Sequence, residues 1–137
     1  FDHIVEELLP LADPELIFIA EKDGHPAGFS LAMPNYNEVL KVMNGRVNPL
    51  TLIKAMFAKK KIGSARVITM GVIKEFQGRG IDSLFYYHSY KNGLPKGFFR
   101  GEFSWVLENN TMMIRVAEML DAVPYKTYRL YDKAIPQ

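Results

Sequence analysis

The stretch 65–82 reads Ala-Arg-Val-Ile-Thr-Met-Gly-Val-Ile-Lys-Glu-Phe-Gln-Gly-Arg-Gly-Ile-Asp. Its first half, 65–73, is nearly continuous in apolar and β-branched residues, which predicts a central strand buried on both faces. Its end opens a helix over 80–92, with Ile81, Leu84, Phe85 and His88 at helical spacing and a stop at Asn92-Gly93 before Pro95. Between them lies Gln77-Gly78-Arg79-Gly80. Two glycines let the backbone turn tightly and approach a ligand closely, because no Cβ intervenes. The first turn of the helix offers unpaired N–H groups and a positive dipole end. Arg79 adds a cationic donor. The chemistry is that of an anion site at a strand-to-helix turn. A nucleotide P-loop is excluded because no Gly-Lys-Ser/Thr ending follows, and the dinucleotide fingerprint fails because Ser83 stands where a third glycine would fall.

Working outward, residues 1–9 read as a short helix stopped by Pro10. Strand-like runs at 16–20 and 27–32 flank Asp23-Gly24, a strong hairpin signal. Two short helices are predicted at Asn37–Met43 and Pro49–Lys59. Beyond the central helix, 98–107 alternates, with Phe99, Phe103, Trp105 and Leu107 on one face and Arg100, Glu102 and Ser104 on the other. Asn109 or Asn110 caps a helix running to Leu120 with the stripe Met113, Val116, Ala117, Leu120. Residues 125–133 are predicted as a last strand. The order predicts an α/β layer on a mixed sheet.

The chain has 137 residues, which suits one domain, and its 48% hydrophobic and 23% charged residues are those of an ordinary globular protein. It has no cysteine, which removes disulfide scaffolds, thiolate zinc sites and cysteine nucleophiles. His3 and His25 have no partner at metal spacing, so no metal is expected. A net charge of +2 does not describe a dedicated nucleic-acid binder. Lys59-Lys60-Lys61 reads as a solvated helix end whose cations suit the dipole. No apolar run is long enough for a membrane span and no signal peptide opens the chain. The expectation is a cytoplasmic protein with neither nucleic-acid nor membrane partners.

The turn fits Gln/Arg-x-x-Gly-x-Gly/Ala through Gln77 and Gly80, and Asn110, Met113, Ile114, Ala117 and Asp121-Ala122 follow the spacing Asn-x-x-Ala-Ile-x-x-Tyr-x-x-x-Gly-Phe. Residues 102–108 read like the strand before that helix. On these motifs the chain, from Ile17 to Ile135, resembles the GNAT superfamily of N-acetyltransferases. The resemblance implies a mixed, mostly antiparallel sheet flanked by helices, with a V-shaped splay between its two central strands that admits pantetheine. It implies that backbone groups of Met70, Gly71 and Val72 bind the pantetheine arm, and Gly71 is also a sensible bulge position. Gln77, Gly78, Arg79, Gly80, Ile81 and Asp82 would hold the pyrophosphate, with Asn110 and Met113 on the far wall. Asn110 reads equally as a plain N-cap. The chain departs from the pattern at Asp82, at Asp121 in place of glycine, and at Ala117, where many members carry the tyrosine that protonates the departing thiolate.

The implied reaction is transfer of an acetyl group from acetyl-CoA to a primary amine of a small or amino-acid-like molecule. The oxyanion needs a donor, which a strand N–H can supply, and a thiolate can leave without an obligatory acid because thiol pKa values lie near 8.5. The base is the residue to find. Glu102 is the first candidate and its bland reading is a surface carboxylate paired with Arg100 or Arg129; Glu108 and Tyr125 come next. The competing function, favoured by Ala117, is a non-catalytic acyl-CoA-binding or structural module. Since Phe1 is no initiator and only a short helix precedes the hairpin, a C-terminal fragment of a longer bacterial protein is expected. Its first strand and helix, a further N-terminal domain or a homodimer partner would lie outside this sequence.

Overall fold

The structure is a computed structural model and describes residues 9–133. The predicted helix at 1–9 lies almost wholly outside the described residues. Two compact units divide the chain, the break falling between Glu102 and Phe103.

The first unit holds the sheet, in the order β1-β2-β3-β4, except for Phe103 at the end of β4. β1 (Ile17–Lys22) and β2 (His25–Pro34) form the expected hairpin. Its turn places Asp23 at φ +52° and Gly24 at φ +79°, the left-handed pair that a two-residue hairpin turn requires. β2 also pairs antiparallel with β3 (Ser64–Val72). β4 (Arg100–Phe103) begins where Phe99 N–H donates to Gly63 O at 3.0 Å, and Glu102 then meets Arg66. The contacts advance along both chains in one sense, so β3 and β4 run parallel and the sheet is mixed. Between β2 and β3 stand α1 (Asn37–Met43) and α2 (Pro49–Lys59), with the boundaries read from the sequence. Asn48 explains the second start: its side chain accepts from Thr51 N–H while Thr51 Oγ1 accepts from Asn48 N–H, both at 2.9 Å, a capping box before Pro49. α3 (Ile81–Gly93) follows β3.

Several sequence expectations are corrected. β3 is not buried on both faces; Ile68, Thr69 and Gly71 are exposed. The reason is length. β4 has four residues beside nine in β3, so the C-terminal half of β3 runs on beyond its neighbour. The most buried strand is β2, which places Ala27, Ser30, Ala32 and Met33 inside. The bulge in β3 falls at Ile68, where the register passes from Leu31↔Thr69 to Ala32↔Val67, while Gly71 sits in regular register opposite Phe29. The stripe on α3 narrows to Phe85, at 4% exposure, with Leu84 and His88 exposed. Phe85 fills the place where β2, β3 and α3 converge: a Cβ on Gly28 would lie 2.9 Å from Gly71 O and 3.2 Å from the Phe85 ring. Burial of that phenyl group contributes about 1.5–3 kcal/mol.

The second unit contains α4 (Thr111–Met119). Asn110 is its N-cap, Oδ1 accepting from Met113 N–H at 3.2 Å, a cap worth about 1 kcal/mol. The helix ends in a left-handed closure, with Asp121 at φ +54° and Ala122 N–H donating to Ala117 O at 2.9 Å. Asp121 therefore adopts the backbone that favours glycine, which aspartate tolerates better than most residues. Met113, Val116 and Ala117 are half-buried and Leu120 is exposed, so the predicted stripe is not a closed core. The strand expected over 98–107 stops at Phe103, Trp105 turning to φ +60°. Residues 125–133 form no strand. The aromatic content behind both expectations pairs locally, the Trp105 and Tyr128 rings lying 6.3 Å apart.

Candidate functional site

The turn from β3 into α3 is constructed by short-range chemistry. After Val72 the chain makes a single 3-10 turn over Lys74–Phe76, anchored to the sheet by Ile73 N–H donating to Ala27 O at 2.9 Å. Gln77 reaches back, its Nε2 donating to Val72 O at 3.0 Å, so the turn is tied to the strand it leaves. Gly78 and Gly80 then take φ of +71° and +79°. A Cβ at either would meet nothing within 4 Å, so the glycines serve backbone direction and leave open space in front of the main chain.

Gly80 is the N-cap of α3 and supplies no side-chain cap. The first helical bond is Leu84 N–H to Gly80 O at 3.1 Å. The N–H groups of Ile81, Asp82 and Ser83 thus precede the ladder and lie at the positive end of the helix dipole. The Arg79 guanidinium stacks over the Phe76 ring at 5.5 Å, which holds a cation beside the turn. Asp82 lies half-buried within the first turn. One turn further, burial raises the Tyr86 hydroxyl to about 12, with the Asp82 charge adding to the shift. The arrangement offers donors and one cation to an anion with several oxygens, while the stretch of β3 with Ile68, Thr69 and Gly71 exposed leads away from it.

The remaining candidates divide between the units. Met70, Gly71, Val72, the turn Gln77–Asp82 and Glu102 lie in the first; Asn110, Met113 and Tyr125 lie in the second. Asn110 is seen in its capping role. Tyr125 is exposed in irregular chain, with Lys126 Nζ 5.3 Å from its ring. Glu102 is neither a free surface carboxylate nor paired with Arg100 or Arg129. Its Oε1 meets Arg66 at 3.1 Å and its Oε2 accepts from Asn35 Nδ2 at 3.3 Å, both charged side chains being more than four-fifths buried.

This pairing belongs to a network that sequence reasoning missed. Asn35 Nδ2 also donates to Ser64 Oγ at 3.1 Å, Ser64 Oγ donates to Glu38, and Gly63 N–H donates to Glu38 Oε2 at 3.1 Å. The Ser64 hydroxyl first, then Gly63 N–H and the more distant Arg100, hold the Glu38 carboxyl below its usual range against the opposing effect of burial. The signal available was Ser64 and Arg66 at the head of an otherwise apolar strand, since half-buried polar groups there need partners. The network sits at the start of β3 and the anion turn at its end, about 20 Å away at 3.3 Å per residue.

No protein-family model matches the sequence. Over 138 residues the chain is 36% identical to a protein of Caulobacter vibrioides named bacterial ceramide synthase, covering 96% of this chain and 36% of that one. Over 136 residues it is 35% identical to protein YghO of Escherichia coli, covering 95% and 35%. The chain thus spans about a third of the length of these curated relatives. Among solved structures, the aminoglycoside N-acetyltransferase AAC(6')-Iy in complex with CoA superposes with a TM-score of 0.63 at 21% identity, over 97% of this chain and 85% of that one. The α/β layer, the mixed sheet and the glycine turn between β3 and α3 together make this the fold of the GNAT N-acetyltransferases.

Proposed function

We propose that this chain binds acyl-CoA and transfers the acyl group to an amine, with acetyl-CoA as co-substrate. The observation that carries the reading is the uncapped start of α3, where two positive-φ glycines leave the main chain open beside Arg79. The pyrophosphate would lie on the N–H groups of Gly78–Asp82, Gln77 fixing the turn. The pantetheine arm would run along Met70, Gly71 and Val72. CoA in the complex of AAC(6')-Iy supports that choice of donor. When bound, the thioester supplies an activated acyl carbon; the chain supplies position and proton handling.

An arm laid along β3 from the phosphate turn carries its thioester toward the Arg66 end, where Glu102 sits. We assign Glu102 as the proton acceptor for the attacking amine. Two of its roughly four lone-pair positions are taken by Arg66 and Asn35, which fixes its direction and leaves acceptor capacity. The thiolate leaves without an obligatory acid, thiol pKa values lying near 8.5, and Tyr125 stays behind Glu102 as the next proposed proton acceptor. Glu102→Gln should lower turnover and leave CoA affinity near normal.

For the acceptor, a specific observation favours a reading beyond a small or amino-acid-like amine. The relative at 36% identity is named for ceramide synthesis, and a ceramide is the amide of a long-chain amino alcohol. A long-chain amine is therefore the acceptor class to test beside polar amines. The experiment is calorimetric titration with acetyl-CoA, then mass spectrometry of acyl transfer to both classes. Absence of binding sinks the whole reading. Binding without transfer to either class leaves the non-catalytic acyl-CoA module.

A further inference from the structure

α2 presents its sides in an unusual order. The half-buried positions carry small side chains, Thr51, Ala55 and Ala58, and no residue of the helix is buried. The large apolar side chains face outward, Leu50 at 72% and Phe57 at 64% exposure, with Val47 beside them. At about 100° per residue, Leu52, Met56, Ile53, Phe57 and Leu50 follow one another across an arc of about 160°. Lys54 borders one margin of the arc and Lys59 the other, and Lys60 and Lys61 follow at the helix end, all exposed.

Charge is distributed with the same bias. Between Asn37 and Gly63 lie six of the chain's seventeen Lys and Arg residues but one of its fifteen Asp and Glu. That one, Glu38, is occupied by Gly63 N–H and Ser64. The rest of the chain is therefore net negative. An apolar arc rimmed with lysine on a short helix has the chemistry of a segment lying at a lipid interface.

We propose that the α1–α2 hairpin docks on an anionic membrane surface. α2 lies in the plane of the bilayer, its apolar arc at the boundary of headgroups and acyl chains and its lysines among the lipid phosphates. The mode is interfacial, because α2 is only about 16 Å long and no helix of the described residues is long and apolar enough to cross a membrane. A second copy seated on this face would set lysine against lysine, which opposes association. The proposal revises the expectation of no membrane partner, which rested on the lack of a span. It stands apart from the acyl-CoA reading, since no residue of Gln77–Asp82 takes part. The hairpin joins the end of β2 to the start of β3, so the membrane face and the phosphate turn sit at opposite ends of β3.

The test is co-sedimentation with sucrose-loaded vesicles of phosphatidylcholine, alone or mixed with phosphatidylglycerol. Binding is expected to the mixed vesicles and to fall with salt. A basic residue near such a surface contributes roughly fivefold in affinity, so Lys60→Glu with Lys61→Glu should lower binding at least tenfold. Leu50→Glu with Phe57→Glu, both at exposed positions, should abolish it while acetyl-CoA binding is kept. Because the chain has no cysteine, Met56→Cys carrying an environment-sensitive dye gives a second readout, a blue shift on vesicle addition. Equal binding to both vesicle types overturns the proposal, as does unchanged binding by the apolar variant. A dimer in light scattering that Phe57→Glu dissolves assigns the face to a second copy instead. A Met56→Cys thiol protected from reagent, without lipid, in the longest natural chain carrying this sequence assigns the face to that chain's own remainder.

Discussion

Gly24 and Gly80 form a matched pair that isolates the role of the anion turn. Both have φ of +79°, and a Cβ on either meets no atom within 4 Å. Alanine at either position thus costs only the left-handed backbone, about 1–2 kcal/mol. At roughly 3 °C per kcal/mol for a chain of this size, Gly24→Ala and Gly80→Ala should each melt about 3–6 °C below the parent and alike. Ligand separates them. Acetyl-CoA at about 100 times its dissociation constant stabilises the folded state by about 2.7 kcal/mol, and Gly24→Ala, at the hairpin tip, should show that full gain. Gly80→Ala places a methyl group where the pyrophosphate approaches; a tenfold loss of affinity reduces the gain to about 1.4 kcal/mol at the same concentration. The assay is a pair of thermal melts with and without ligand. Equal ligand-induced shifts in the two variants refute the placement of the phosphates. A ligand-free Gly80→Ala far less stable than Gly24→Ala refutes the open space.

Arg79→Ala should weaken acetyl-CoA binding by about 1.5–3 kcal/mol, read by calorimetry, with a smaller loss for pantetheine, which lacks the pyrophosphate. Gly28→Ala drives a methyl group to 2.9 Å from Gly71 O and 3.2 Å from Phe85; it should cost about 1–3 kcal/mol in chemical denaturation and, unlike Gly80→Ala, lower stability more than affinity. The folded pKa of Glu38 lies below its ordinary 4.5, so its contribution is complete above the unfolded value and is lost as pH falls through the folded one. Glu38→Gln should remove that part of the acid limb of stability while leaving the neutral-pH slope unchanged.

The elements set by local chemistry were legible. Pro49–Lys59 is legible to the residue through Asn48 and Pro49 at its start, and Asn37–Met43 through Asn44 and Gly45, whose left-handed backbone ends it. The anion turn was legible because glycine has few reasons to recur beside a helix start. What failed depended on neighbours. Strand pattern in 98–107 gave no account of where β3 stops supplying a partner, and aromatic content at 125–133 was read as strand where it forms ring contacts. Glycine does not mark the bulge at Ile68, because a register shift is a property of the pair Leu31/Ala32 and β3 together. Glu102 was selected by its face on a strand; its partners Arg66 and Asn35 are 36 and 67 residues away in sequence, and no local pattern pairs them.

β1 closes the sheet on one side among the described residues, with Ile19 exposed along it. The proposed arm runs along the opposite side, on the stretch of β3 that outlasts β4. Strands spaced about 4.8 Å apart put these two margins some 10 Å from one another, with β2 as the spacer. Such a sheet can lengthen at β1, by one strand or several, without touching the margin that meets the cofactor. Growth and ligand use are thereby separable, and a chain of this architecture can serve as a cassette within larger proteins while its phosphate turn stays the same.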